Sequence, residues 1–178
     1  MVGSNYKIKG VDRAIKAVSS LPSSLREKSC LIVVGKGDKK PYQRLAKRLK
    51  VSSQVLFLGQ RDDVPKFLFG ADLLLHPAYH ENTGTVIIEA MAAGLPVLAT
   101  DTCGYSFHVI RADAGKVIPS PFNQERMNQM LSSMLSSDNK KKWQTNAKAY
   151  IEKLDIGQMH KKITEIIEKV AEDKQSFS

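Results

Sequence analysis

Short, continuous apolar runs alternate with helical patterns along most of the chain. The runs at 31–34, 55–58, 71–75, 97–100 and 116–118 read as strands, and several of them end at a glycine or a proline. Val2 and Gly3 read as the end of a further strand entering a turn. Almost nothing precedes them, so the chain is expected to be part of a longer one. Continuous apolar strands suit a parallel sheet buried on both faces. Between the strands lie helical stripes. Val11, Ala14, Ile15 and Val18 share one face. Leu45, Ala46 and Leu49 share another, on a helix that also carries Lys47, Arg48 and Lys50. Val86, Ile87, Ala90 and Met91 form a third stripe that stops before Gly94 and Pro96. This β-α alternation predicts a doubly wound α/β domain with helices on both faces of a parallel sheet.

After Pro121 the pattern becomes wholly helical. Met127, Met130, Leu131, Met134 and Leu135 make one stripe, and 139–151 make a helix around Trp143. The methionine stripe reads as core packing rather than as a cofactor box. A last helix carries Ile156, Met159, Ile163, Ile166, Ile167 and Val170. The predicted division is therefore a sheet domain over 1–155 and a terminal helix and tail over 156–178. The apolar face of that helix needs a partner, expected from a domain outside this chain.

Composition narrows the classes. In 178 residues there are 27 Lys plus Arg against 18 Asp plus Glu, a net charge of +9. The surplus favours an anionic partner such as a phosphate, acidic lipid or nucleic acid, and a plain solvated basic surface explains it equally well. A nucleic-acid module is disfavoured: the lysines are dispersed over several helices, few aromatics interleave them and no reading motif is present. The two cysteines, Cys30 and Cys103, have neither disulfide nor metal spacing, which points to a reducing cytoplasm. No apolar run approaches the ~20 residues that span a bilayer, so any membrane contact is expected to be peripheral. With no Asp-x-Asp pair and no His/Cys cluster, no metal and no cofactor are expected.

The chemistry concentrates in 80–96, His-Glu-Asn-Thr-Gly-Thr-Val-Ile-Ile-Glu-Ala-Met-Ala-Ala-Gly-Leu-Pro. This segment follows the strand at 71–75, at the carboxyl end of a parallel sheet, where open α/β folds bind ligands. Asn82 or Thr83 is expected to cap the next helix. Gly84 lets a ligand approach the backbone, and the first-turn amides of Gly84, Thr85 and Val86 with the helix dipole suit a diphosphate. Glu89, about five residues in, lies roughly 7–8 Å along the axis, a sensible span from phosphate to ribose. Glu81 lies on the other side and reaches sugar hydroxyls. Two glutamates eight apart are common by chance. The glycine between them, the strand before and Ala-Met-Ala-Ala-Gly-Leu-Pro-Val after favour a site.

Glu81-x7-Glu89 followed by AMAAGLPV resembles the signature of the retaining GT-B glycosyltransferases of family four. Further phrases, VGSNYKIKGVDRAI, FLGQRDDV, ADLLLHPAYHE, AGLPVLAT, CGY and VIPSPFNQE, run in order from residue 2 to about 125 and resemble its lipopolysaccharide core glucosyltransferases. The resemblance covers the C-terminal, donor-binding half of that fold, a Rossmann-like sheet, and implies hexose transfer from a UDP-sugar, UDP-glucose first, to a lipopolysaccharide core acceptor. It implies that Glu81 orients the transferred sugar, Glu89 binds ribose, and Lys9 binds the diphosphate beside Gly3. It also implies that the loop at 59–64 binds the base, with Arg61 over the ring. Arg61 reads equally well as a surface partner of Asp62. Asp62 and Asp63 are expected to cap a helix. Ser4 and Ile8 stand where relatives carry basic groups, and Lys7 is expected to stand in for one of them. By the same resemblance an N-terminal domain would complete the cleft, and this chain alone would bind donor without turnover. The enzyme would work in the cytoplasm, at the cytoplasmic face of the inner membrane. A GT-B-like epimerase or phosphorylase remains an alternative. His76 is expected to be a satisfied buried histidine, Gly104 to permit close approach and Tyr105 to line the cleft, while for His80 a contact to donor phosphate is the lesser of two readings beside an ordinary loop residue.

Overall fold

The computed structural model describes residues 1–154; the expected terminal helix and tail at 156–178 lie outside the described residues. Five strands are found, β1 (Leu31–Val34), β2 (Val55–Gly59), β3 (Leu74–His76), β4 (Val97–Thr100) and β5 (Gly115–Ile118). Eight α-helices accompany them: α1 (Val11–Ser19), α2 (Ser23–Arg26), α3 (Lys40–Arg48), α4 (Val64–Phe69), α5 (Thr85–Ala92), α6 (Ser106–Arg111), α7 (Gln124–Leu135) and α8 (Lys140–Lys153). Every strand pair is parallel. β1 pairs with β2, and β3, β4 and β5 form a second ladder in chain order. Val2 bridges Val34 and so lies along β1, as the stub at the start of the chain predicted. A cavity of about 490 Å³ separates the two ladders, lined by Met1, Val2, Leu31, Leu74 and their neighbours. It lies away from the loop that carries Glu81.

Side-chain alternation along the strands divides the core into two layers. Leu75, Leu98 and Ile118 face a cluster built from α1, α3 and the Met127–Leu131–Met134 stripe of α7. Leu74, Val97 and Ala99 face the opposite way, onto Ile87, Ala90 and Met91 of α5, Val109 of α6 and Ala147 of α8. Period-2 strands with helices on each face make the doubly wound arrangement. Trp143 of α8 turns back into the first layer.

The strand expected at 71–75 begins three residues later than the hydropathy suggests. Ala71 and Asp72 are exposed, and the buried ladder begins at Leu74. That shift matters, because it makes His76 the last residue of the strand.

Candidate functional site

Three segments meet at the carboxyl end of β3 and β4: the turn before α1, the loop at 77–84, and the turn at 101–105. The loop is fixed by its main chain. The Tyr79 amide donates to the Ile8 carbonyl at 2.8 Å, Glu81 to Thr102 at 3.2 Å, Gly104 to Glu81 at 3.0 Å, and Tyr105 to Thr83 at 2.7 Å. Glu81 and Cys103 thereby form a parallel bridge. The Ala78 carbonyl accepts from the hydroxyls of Thr100 and Thr102 at 2.8 and 2.9 Å and from Arg13 Nη1 at 3.1 Å. Arg13 is itself buried, its guanidinium between the rings of Tyr79 and Phe122, 3.6 Å from each centroid. Nothing local in the sequence marks Arg13, because its partners lie more than sixty residues away.

Two backbone approaches bring these segments together. A Cβ on Gly10 would lie 2.0 Å from the Pro77 carbonyl oxygen, and one on Gly104 would lie 2.0 Å from that of Asn82. Gly10 also takes a left-handed conformation, φ 70°, as the residue before α1. Close packing here delivers Lys9 to the loop. The Lys9 stem runs over Gly3, whose missing side chain makes room for it, and its ammonium pairs with Glu81 Oε2. Both side chains are mostly buried. Burial lowers the Lys9 pKa, with the nearby Cys103 opposing that shift, and burial likewise raises the Cys103 thiol.

Beside this pair, α5 begins at Gly84. The expectation that Asn82 or Thr83 caps the helix is not met. Gly84 itself is the capping residue, at φ 77°, and no side chain caps the helix. Asn82 instead faces His80, Oδ1 to Nε2 at 2.9 Å. A glycine in the left-handed region turns the chain sharply, which carries Asn82 and Thr83 outward as exposed residues and leaves the first-turn amides of Thr85 and Val86 open. Glu89 is exposed on the same helix and makes no ion pair among the described residues.

His76 is buried as expected, but it is not satisfied. Both ring nitrogens lack a hydrogen-bond partner among the described residues. Nε2 stands 3.7 Å from Glu81 Oε2. Burial, and then the charge of Lys9, lowers its pKa to about 3. The ring is therefore neutral, and the short approach to Glu81 is not a salt bridge.

The remaining predicted residues divide. Lys7 shares the turn of Lys9 but is exposed. Arg61 lies at the end of β2, where its guanidinium forks onto Asp63 at 2.9 and 3.0 Å rather than onto Asp62. That pair raises the Arg61 pKa and lowers that of Asp63. Asp63 precedes α4 without a side-chain capping bond, so the expected capping is replaced by the arginine pair. Among the described residues no group of His, Cys, Asp and Glu has the makings of a metal site. No helix among them is long and apolar enough to cross a membrane.

Comparison with known proteins agrees with this architecture. A family model for the glycosyl transferases of group 1 matches residues 1–150. The lipopolysaccharide glucosyltransferase WaaG of Escherichia coli (strain K12) is 44% identical over 167 residues, which are 93% of this chain and 45% of that protein. N-acetyl-alpha-D-glucosaminyl L-malate synthase of Bacillus anthracis is 33% identical over 63% of this chain and 29% of its own length. A crystal structure of WaaG superposes with a TM-score of 0.88 at 43% identity, covering 93% of this chain and 45% of that one. The Anabaena HepE complex with UDP-glucose superposes at 0.79, with 26% identity over 94% of this chain and 47% of that one. The chain thus spans about half the length of these relatives or less.

Proposed function

The chain belongs to the glycosyl transferases of group 1, and from that membership we propose that it is the donor half of a retaining hexosyltransferase that takes glucose from UDP-glucose to a lipopolysaccharide core acceptor. The observation that carries this reading is the Lys9–Glu81 pair set beside the uncapped start of α5, with Glu89 exposed one and a half turns further on. A diphosphate fits between the Lys9 ammonium and the amides of Gly84, Thr85 and Val86, where helix dipole and lysine both favour negative charge. The ammonium has three protons to share between Glu81 and phosphate oxygen. Glu89 accepts from the ribose diol and Glu81 from hydroxyls of the transferred sugar. Asn82 and Thr83 flank the sugar, Gly3 gives Lys9 its path, and Lys7 adds charge at the rim. For Arg61 to stack on the base it has to leave Asp63.

In the reaction the acceptor oxygen attacks the anomeric carbon on the face from which UDP departs, and the departing oxygen takes the proton. Lys9 and the helix amides stabilise the charge that develops on UDP. Glu81 holds the sugar in line and forms no bond to it. No metal is assigned a role. HepE, whose solved complexes hold UDP and UDP-glucose, supports the choice of donor, and the likeness to WaaG supports both glucose and the acceptor class. An N-terminal domain across the cleft would bring the acceptor.

The test is calorimetric titration of the chain with UDP, UDP-glucose, ADP-glucose and GDP-mannose, repeated on Glu89→Ala. Uridine-selective binding that the variant loses supports the reading. Binding by no nucleotide to a folded sample, or equal binding by the variant, overturns it.

A further inference from the structure

We propose that His76 is a positioning residue for Glu81: its Nε2–H holds one carboxylate oxygen so that the other is presented to the donor sugar. The inference rests on the reading of Glu81 as a sugar-binding group. His76 ends β3 fully buried, and both its nitrogens are orphaned among the described residues. A buried polar group without a partner is costly, and a chain that retains one needs a reason to do so. Among the described residues the carboxylate that approaches it is that of Glu81, whose Oε2 stands 3.7 Å from Nε2. That oxygen is buried too. It is ion-paired with the Lys9 ammonium.

The neutral ring has one proton to place. An orphaned buried N–H costs more than an orphaned acceptor, and Nδ1 has no acceptor near it. With the proton on Nδ1, the Nε2 lone pair would face a carboxylate oxygen in a dry site. The proton therefore belongs on Nε2, aimed at Glu81. At 3.7 Å the contact is too long for a hydrogen bond, and a small turn of the Glu81 side chain closes it. Donor binding supplies the cause. A diphosphate draws part of the Lys9 charge away from Oε2, and His76 is the buried donor left to hold that oxygen. Oε1 is then the oxygen left to accept from a sugar hydroxyl.

Two measurements test this. Long-range proton–nitrogen NMR spectra of the chain report the tautomer of each of its four histidines, with His76 assigned by its loss in His76→Gln. The expected result is an Nε2–H ring whose resonances move in Glu81→Ala and not in Glu89→Ala. An Nδ1–H ring, or no response to Glu81→Ala, overturns the proposal. Calorimetry then compares UDP-glucose with UDP. His76→Leu should weaken UDP-glucose about tenfold, the scale of one hydrogen bond to a charged group, and leave UDP within about twofold. His76→Gln, whose amide N–H reaches the place of Nε2, should recover most of the loss. Unchanged UDP-glucose binding by His76→Leu overturns the proposal, and so does an equal loss of both ligands, which marks a purely structural role. Should the wild-type chain bind neither ligand, the donor reading fails and the part of His76 in donor binding fails with it, while the tautomer result still decides the contact with Glu81.

Discussion

Gly10 and Gly84 hold nearly the same left-handed backbone, φ 70° and 77°, in different surroundings. Alanine in that conformation costs about 1–2 kcal/mol, of which about 0.4–1 kcal/mol is offset because alanine restricts the unfolded chain. At Gly84 the nearest atoms to the new methyl would be Glu81 Cγ at 3.3 Å, Ile87 Cδ1 at 3.4 Å and Cys103 Cβ at 3.8 Å, all of them side-chain atoms, the two closest of which can yield. Gly84→Ala should therefore destabilise by about 1 kcal/mol. At Gly10 the methyl would sit 2.0 Å from the Pro77 carbonyl oxygen and 2.9 Å from its carbon. Main chain has to move there, which adds about 1–3 kcal/mol, for a total near 2–4 kcal/mol. Urea unfolding followed by the fluorescence of the single tryptophan, Trp143, reads both variants. With a slope of about 2 kcal/mol/M the midpoint falls by about 0.5 M for Gly84→Ala and about 1–2 M for Gly10→Ala. Equal shifts, or a smaller shift at Gly10, would refute the claim that α1 and the loop at 77–84 are held in backbone contact.

Other outcomes follow from the same geometry. His76 is neutral when folded, with its pKa lowered to about 3 from 6.5, so the unfolded chain binds the extra proton between those values and stability falls as pH drops through that window. His76→Leu should remove up to about 1.4 kcal/mol of that loss per pH unit, and an unchanged pH profile of urea midpoints would show the ring to be accessible. Arg13→Met keeps the stem but removes two stacked rings and two carbonyl partners. A loss of about 2 kcal/mol is expected, with faster amide exchange at 78–81; wild-type exchange there would contradict the clamp. The net charge of +9 should bind the chain to vesicles containing anionic lipid and release it as salt rises, and sedimentation with neutral vesicles at high salt would count against that.

The doubly wound fold was legible because short apolar strands and amphipathic helices each bury residues near in sequence. Leu74 and Leu75, adjacent and facing opposite layers, are the clearest instance. The apolar run 71–75 overstates β3, because Ala71 is exposed, Leu73 is only partly buried, and pairing with β4 starts at Leu74. α6 escaped notice because six residues with one fully buried aliphatic, Val109, show no period. In the site, the glutamates at 81 and 89 are marked by Gly84 between them, the strand before and the Ala-Met-Ala-Ala-Gly-Leu-Pro-Val run after, because their spacing alone is common by chance. The tie of Arg61 to Asp63, the burial of Arg13 and the orphaned ring of His76 depend on distant packing, which no local pattern carries. The capping expected of Asn82 or Thr83 failed for a related reason, since Gly84 reverses the chain after them.

The loop that carries Glu81 takes its shape from peptide groups of Ile8, Thr102 and Gly104, and not from its own outward side chains. His80, Asn82 and Thr83 are exposed, and among the described residues their side chains bond to nothing outside the loop. Such a loop is a frame whose contents can be exchanged: under the proposed donor reading, substitutions at these three positions change the side chains beside the donor while the frame keeps its form. A library varied at 80, 82 and 83 is correspondingly the economical starting point for redirecting the donor.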